Sequence, residues 1–211
     1  MPVFNIHHIT KYEYDRPIKE SVNEIRIYPF ADPTQETLHH QLNITGQPDV
    51  LLIKDYWGNQ AGMFNLITLH KEMVIESNLI LRTVGSSTLQ LNQDASLGLL
   101  KNVTATNLLL QELSTINETG LKQSISELLN EFYKSDMTVA AIIEKCGDFI
   151  FNNFQYIKGI TNIETTVAEI LEHRSGVCQD FAHVMLEMLR SLGIPSRYVS
   201  GYICPNRNGM R

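Results

Sequence analysis

In the first part of the chain apolar and aromatic residues alternate with polar ones. Within residues 4–14 the even positions include Phe4, Ile6, Tyr12 and Tyr14, while Asn5, Lys11 and Glu13 hold odd ones. A strand there would turn one face to a core and the other to water. Shorter runs at 22–28, 38–44, 50–57, 63–69 and 73–84 follow, separated by turn residues at Pro17, 29–33, 46–49 and Gly58-Asn59. The last pair is expected to form a two-residue hairpin turn. Short strands at this spacing predict an antiparallel sheet or sandwich. Residues 85–96 are polar and rich in Ser, Asn and Gln, which predicts a linker. The period then becomes helical, with Leu121, Ile125, Leu128, Leu129 and Phe132 in one stripe and Val139, Ile142, Ile143, Cys146, Phe149 and Ile150 in the next. The fold class is therefore α+β: a β-rich domain over 1–85, a linker over 86–100 and a helical core over 101–211.

Within that core one position invites chemistry. Thr166 with Glu169 forms a capping-box pattern for a short helix through Leu171, and 173–176 read as the loop leading to Cys178. A new helix runs from Cys178 to about Leu192. Cys178, Ala182, Met185, Leu189 and Leu192 make one apolar stripe, Phe181, Val184 and Met188 a neighbouring one, and Gln179, Asp180, Glu187 and Arg190 remain as the polar positions. So apolar a helix should pack on more than one side. Gly193 and Pro195 end it, and residues 196–203 are expected to leave as a strand. A thiol at a helix start faces unpaired backbone N–H groups and the positive end of the helix dipole, which favour a thiolate. The same N–H groups can hold the oxyanion formed when a carbonyl is attacked. Gly176 would let a substrate backbone approach.

The string Arg174-Ser175-Gly176-Val177-Cys178-Gln179-Asp180-Phe181-Ala182, with Leu192-Gly193-Ile194-Pro195-Ser196-Arg197-Tyr198-Val199-Ser200-Gly201-Tyr202 after it, resembles the transglutaminase-like superfamily of papain-fold cysteine enzymes. Phe154-Gln155-Tyr156 and Thr165-Thr166 are similar to that family's approach to its nucleophile. Tyr12-Glu13-Tyr14-Asp15-Arg16-Pro17, Glu24-Ile25-Arg26-Ile27-Tyr28-Pro29 and Asp55-Tyr56-Trp57-Gly58-Asn59 look like the β-rich domain that precedes the core in a bacterial branch. The resemblance implies that Cys178 is a nucleophile for acyl transfer at peptide or protein amides, in the manner of a cysteine protease or amidase. It also implies a catalytic histidine and aspartate on strands further along.

Neither partner is evident before Arg211. His183 is five residues past Cys178, roughly 140° around a helix and about 7.5 Å along it, so its ring points away. His173 lies five residues before Cys178, in the expected loop. The papain-like core is thus expected to be truncated after its first strand, 196–203, and the chain to be a fragment of a longer enzyme whose residues 204–211 form a loop. The alternative is a non-catalytic peptide- or protein-binding module in which Cys178 is incidental.

A chain of 211 residues with 43% hydrophobic content and net charge −6 can bury a core and shows no basic patch, which excludes nucleic acid as the main partner. Cys146, Cys178 and Cys204 have no ligand spacing, and adjacent His7-His8 and His39-His40 point to opposite faces of a strand, so no metal or other cofactor is predicted. Cys146, in an apolar stripe, belongs to the core, and Tyr156 reads as a packing residue. No signal sequence or membrane span is read, and the expected location is the cytoplasm.

Overall fold

In the computed structural model, which describes residues 1–84, 92–116, 119–162 and 164–204, the alternating region becomes six strands. These are β1 (Val3–Ile18), β2 (Ser21–Ile25), β3 (Gln35–Ile44), β4 (Leu51–Lys54), β5 (Gln60–Leu66) and β6 (His70–Thr83). They form two antiparallel sheets, ordered β1-β6-β3 and β2-β5-β4. On the central strand β6 the odd residues Met73, Ile75, Ser77, Leu79 and Leu81 are buried and the even ones between them are not, which is the pleat expressed as burial. Ile44, Met73 and Ile75 from the first sheet cluster with Ile25, Phe64 and Leu66 from the second. Each such side chain stabilises the fold by roughly 1.5–3 kcal/mol on leaving water. Pro17 lies inside β1, in the stretch between Glu13 and Ile18 where the register shifts, a place where an edge strand tolerates a missing N–H.

The hairpin between β4 and β5 differs from the expected two-residue turn. Asp55 N–H donates to Asn59 O and Gly58 N–H to Asp55 O, so three residues make the loop and Gly58 takes φ 83°. Asp55 organises it by accepting from Trp57 N–H, Asn59 N–H, the Asn59 amide and the Arg26 guanidinium, and these bonds hold its carboxyl below the usual range.

His40, half-buried, is hydrogen bonded to buried Ser77 at 2.9 Å and lies edge-on to Tyr28. Burial, aided by the charge of His39, lowers its pKa. The unfolded chain then binds a proton that the folded chain resists, so stability should fall as pH drops below about 6.5 and level off beneath the depressed value. Urea midpoints at about pH 7 and about pH 5.5 should show this slope, and His40→Gln should flatten it. An identical slope in the variant would contradict the assignment.

Residues 90–211 make a second compact unit. Its elements are α1 (Leu97–Ala105), α2 (Leu108–Leu113), a 3-10 turn at Thr119–Leu121, α3 (Lys122–Asn130), α4 (Val139–Asn153), β7 (Gln155–Tyr156), α5 (Val167–His173), β8 (Ser175–Gly176) and α6 (Cys178–Ser191). α1 opens inside the stretch read as a linker, of which 85–91 lie outside the described residues. Helix α6 is central and packs on α3, α4 and α5. Ile142, Cys146, Val184 and Met188 are each 0% exposed at the middle of that core. Past α6, Gly193 at φ 78° lets its N–H reach Arg190 O and lets Ile194 N–H reach Leu189 O, a Schellman ending.

The expected strand at 196–203 is absent. Arg190 donates to Ser196 O, Ser196 N–H donates to Leu113 O, and Tyr198 stacks on His183 at 5.2 Å between ring centroids. Alternation in sequence supplies a strand's surface but not its ladder, and no described strand lies beside this segment. The strand expected to end the truncated core is corrected accordingly: described residues 192–204 form no strand, and Ser196 is instead held to Arg190 and Leu113. Residues 205–211, the rest of the expected loop, lie outside the described residues.

Candidate active site

The site is built by the turn that joins α5 to α6. Thr166 Oγ1 accepts from Glu169 N–H and the Glu169 carboxylate accepts from Thr166 N–H, so the capping box starts α5 as the sequence predicts. The helix runs through His173, two residues past its expected end, so His173 is in its last turn and not in a loop. Arg174 then adopts φ 45°, with its guanidinium 3.4 Å from Glu131 and over the Phe149 ring. This left-handed residue sends Ser175–Gly176 alongside Gln155–Tyr156 as a short parallel pair. Gln155 N–H donates to Arg174 O at 2.8 Å and Ile157 N–H to Gly176 O at 2.9 Å. The aromatic segment and the turn that leads to Cys178, about twenty residues apart in sequence, are thereby hydrogen-bonded neighbours.

Val177 is the N-cap of α6 and Cys178 its first residue, exposed to solvent. The first amide with an intrahelical acceptor is that of Phe181, which donates to Val177 O at 3.1 Å. The N–H groups of Cys178, Gln179 and Asp180 precede it. At α1, α2, α4 and α5 the caps Ser96, Asn107, Thr138 and Thr166 each accept a first-turn amide through a side-chain oxygen. Valine has no such oxygen, so α6 starts without spending its first-turn amides on a cap.

The capping that α6 does have comes from Asp180. Its Oδ2 accepts from Val177 N–H at 2.7 Å and from Thr161 Oγ1–H at 2.8 Å, and the residue is 7% exposed. Asp180 and Glu187, grouped in the sequence reading with the helix's polar positions, are both buried, on one stripe with Val184 and Met188. A carboxylate is held inside only with donors to meet it, and for Asp180 those donors are Val177 N–H and Thr161 Oγ1–H. The only sign in sequence was an acidic residue at the third position of a helix. Thr161 carried no sign at all.

Gly176 also has a different role from the one expected. A Cβ on it would lie 2.7 Å from Asp180 Oδ2 and 2.9 Å from Asp180 Cβ, so the missing side chain makes room for the buried carboxylate, and Gly176 itself is buried. Phe181 is packed edge-on by Phe154 and by Tyr156, a residue that is itself 55% exposed. His183 is exposed and engaged with Tyr198. Cys146 is 0% exposed, and burial pushes its thiol up to about 12. His7 pairs with Glu76 at 2.7 Å and His40 with Ser77. Among the described residues no group of three or more His, Cys, Asp and Glu side chains is gathered to hold a metal, and no helix is long and apolar enough to cross a membrane.

Comparison with known proteins covers both units. Residues 4–82 match the family described as the bacterial transglutaminase-like N-terminal region, and residues 126–210 match the transglutaminase-like superfamily core. An uncharacterized protein of Mycobacterium leprae is 28% identical over 213 residues, 96% of this chain and 72% of its own length. An uncharacterized protein of Mycobacterium tuberculosis is 28% identical over 210 residues, covering 95% of this chain and 65% of its own length. The fold is shared with the 1.9 Å crystal structure of a "Putative Cysteine Protease from Cytophaga hutchinsonii", at TM-score 0.69 and 18% identity over 92% of this chain and 64% of that one. The chain thus spans about two thirds of the length of these relatives. With its two units matched in order, it belongs to the transglutaminase-like superfamily and carries the N-terminal region of the bacterial type.

Proposed function

We propose that this protein is a cysteine-dependent hydrolase of peptide or protein amides, with Cys178 as its nucleophile. The observation that carries the reading is the start of α6: an exposed sulfur on the first helical residue, beside first-turn amides that no cap side chain occupies. Cys178 Sγ forms a bond to the amide carbon as its proton passes to a base, and the carbonyl oxygen becomes an oxyanion that those amides can receive. The C–N bond breaks, the amine leaves with a proton, and water then releases the acid from the thioester. His183 is turned toward Tyr198, so in this reading the base and its orienting carboxylate are the family's histidine and aspartate in the longer protein.

Alkylation tests the assignment. Iodoacetamide near neutral pH should modify Cys178 well ahead of Cys146, which is sealed and whose thiol stays protonated there. Loss of amide hydrolysis should track modification of Cys178. Equal, slow labelling of both thiols would favour a binding module, and full activity after Cys178 is modified would exclude Cys178 as the nucleophile.

A further inference from the structure

Two hydrogen bonds fasten residues 157–161 across the turn that carries Cys178. At one end Ile157 N–H donates to Gly176 O at 2.9 Å, two residues before the cysteine. At the other Thr161 Oγ1–H donates to Asp180 Oδ2 at 2.8 Å, two residues after it. So short a segment, closed at both ends on the same turn, has to run past the start of α6, and Gly159 at φ 78° supplies its bend. The anchor is strong for its size. Asp180 is buried, its oxygen also takes Val177 N–H, and bonds to a charged acceptor are shorter and tighter than neutral ones.

The strap's apolar side chains are left in water. Ile157 is 39% exposed and Ile160 50%; other apolar residues of the unit are exposed too, Leu108 at 78% among them, but these two are on the segment tied to both sides of Cys178. Apolar surface on a segment fastened to both flanks of an exposed thiol is placed for an apolar group to cover it. Building on Cys178 as nucleophile, we propose that residues 157–161 are the wall that selects an apolar group next to the attacked carbonyl. Ile157 and Ile160 make the contact, and Thr161 with Asp180 are positioning residues that hold the strap in register with the sulfur.

Paired alkylating reagents test this on the full-length protein without reference to turnover. Rates for iodoacetamide and its N-phenyl analogue at Cys178 are each divided by the rate with N-acetylcysteine, so that intrinsic reactivity cancels. The phenyl reagent should be favoured about fivefold, the gain expected from covering part of a ring. Ile160→Ser, at a half-exposed position that the fold does not depend on, should bring the preference toward one. Thr161→Val should do the same while Thr161→Ser keeps it, a rescue that loss of stability alone would not produce. No preference in the wild type, or one that survives Ile160→Ser, overturns the wall; one that survives Thr161→Val overturns the positioning pair. Hydrolysis that depends on Cys178 without any such preference would reject the wall and leave the enzyme reading standing. A preference without hydrolysis would do the reverse.

Discussion

Gly176→Ala should destabilise the second unit by about 3 kcal/mol or more and loosen the start of α6. The added methyl would stand 2.7 Å from Asp180 Oδ2 and 2.9 Å from Asp180 Cβ. The Cβ belongs to a helix and cannot swing aside, so the carboxylate must leave Val177 N–H and Thr161 Oγ1. Hydrogen bonds to a charged group contribute roughly 1.5–3 kcal/mol each, and a buried carboxylate robbed of both costs the more. Gly147→Ala is the matched control. Gly147 lies within α4 with nothing within 4 Å of an added Cβ, so the same substitution should stabilise by about 0.5–1 kcal/mol through helix propensity. Urea or thermal unfolding of the two variants should therefore move in opposite directions. Equal behaviour would mean that the Gly176–Asp180 packing is not a constraint.

That packing also marks the limit of what the sequence discloses. The six strands were legible because alternation is a local signal, and burial on β6 follows it residue by residue. The capping box of α5, the start of α6 at Cys178 and the Gly193 ending were legible for the same reason. What escaped depends on distant partners. Asp55 fell inside the run 50–57 read as a strand, yet it organises a loop braced by Arg26, 29 residues away. Asp180 looked solvent-facing because its burial depends on Thr161, 19 residues earlier. Helices α1 and α2 bury no residue, and Leu99, Val103 and Leu108 remain exposed, so no apolar stripe announces them. The strand expected at 196–203 failed in the opposite way, having the composition of a strand and no described neighbour to pair with.

Cys178→Ala should have the largest effect on function. The sulfur is exposed and makes no packing contribution of the kind Cys146 makes, so its removal should leave the unfolding transition within about 0.5 kcal/mol of wild type. Removing the nucleophile of a covalent mechanism, by contrast, costs at least about a thousandfold in turnover, because no other group forms the thioester. Cys146→Ala should show the inverse pattern, with stability lost from the core and turnover per folded molecule kept. The decisive measurement is the release of new amino groups from denatured casein and from glutamine-containing peptides by the longest natural form of the protein, wild type against Cys178→Ala. Turnover that vanishes in the variant, with folding intact, is the predicted result; turnover within about tenfold of wild type would show that the sulfur at the head of α6 is not the nucleophile.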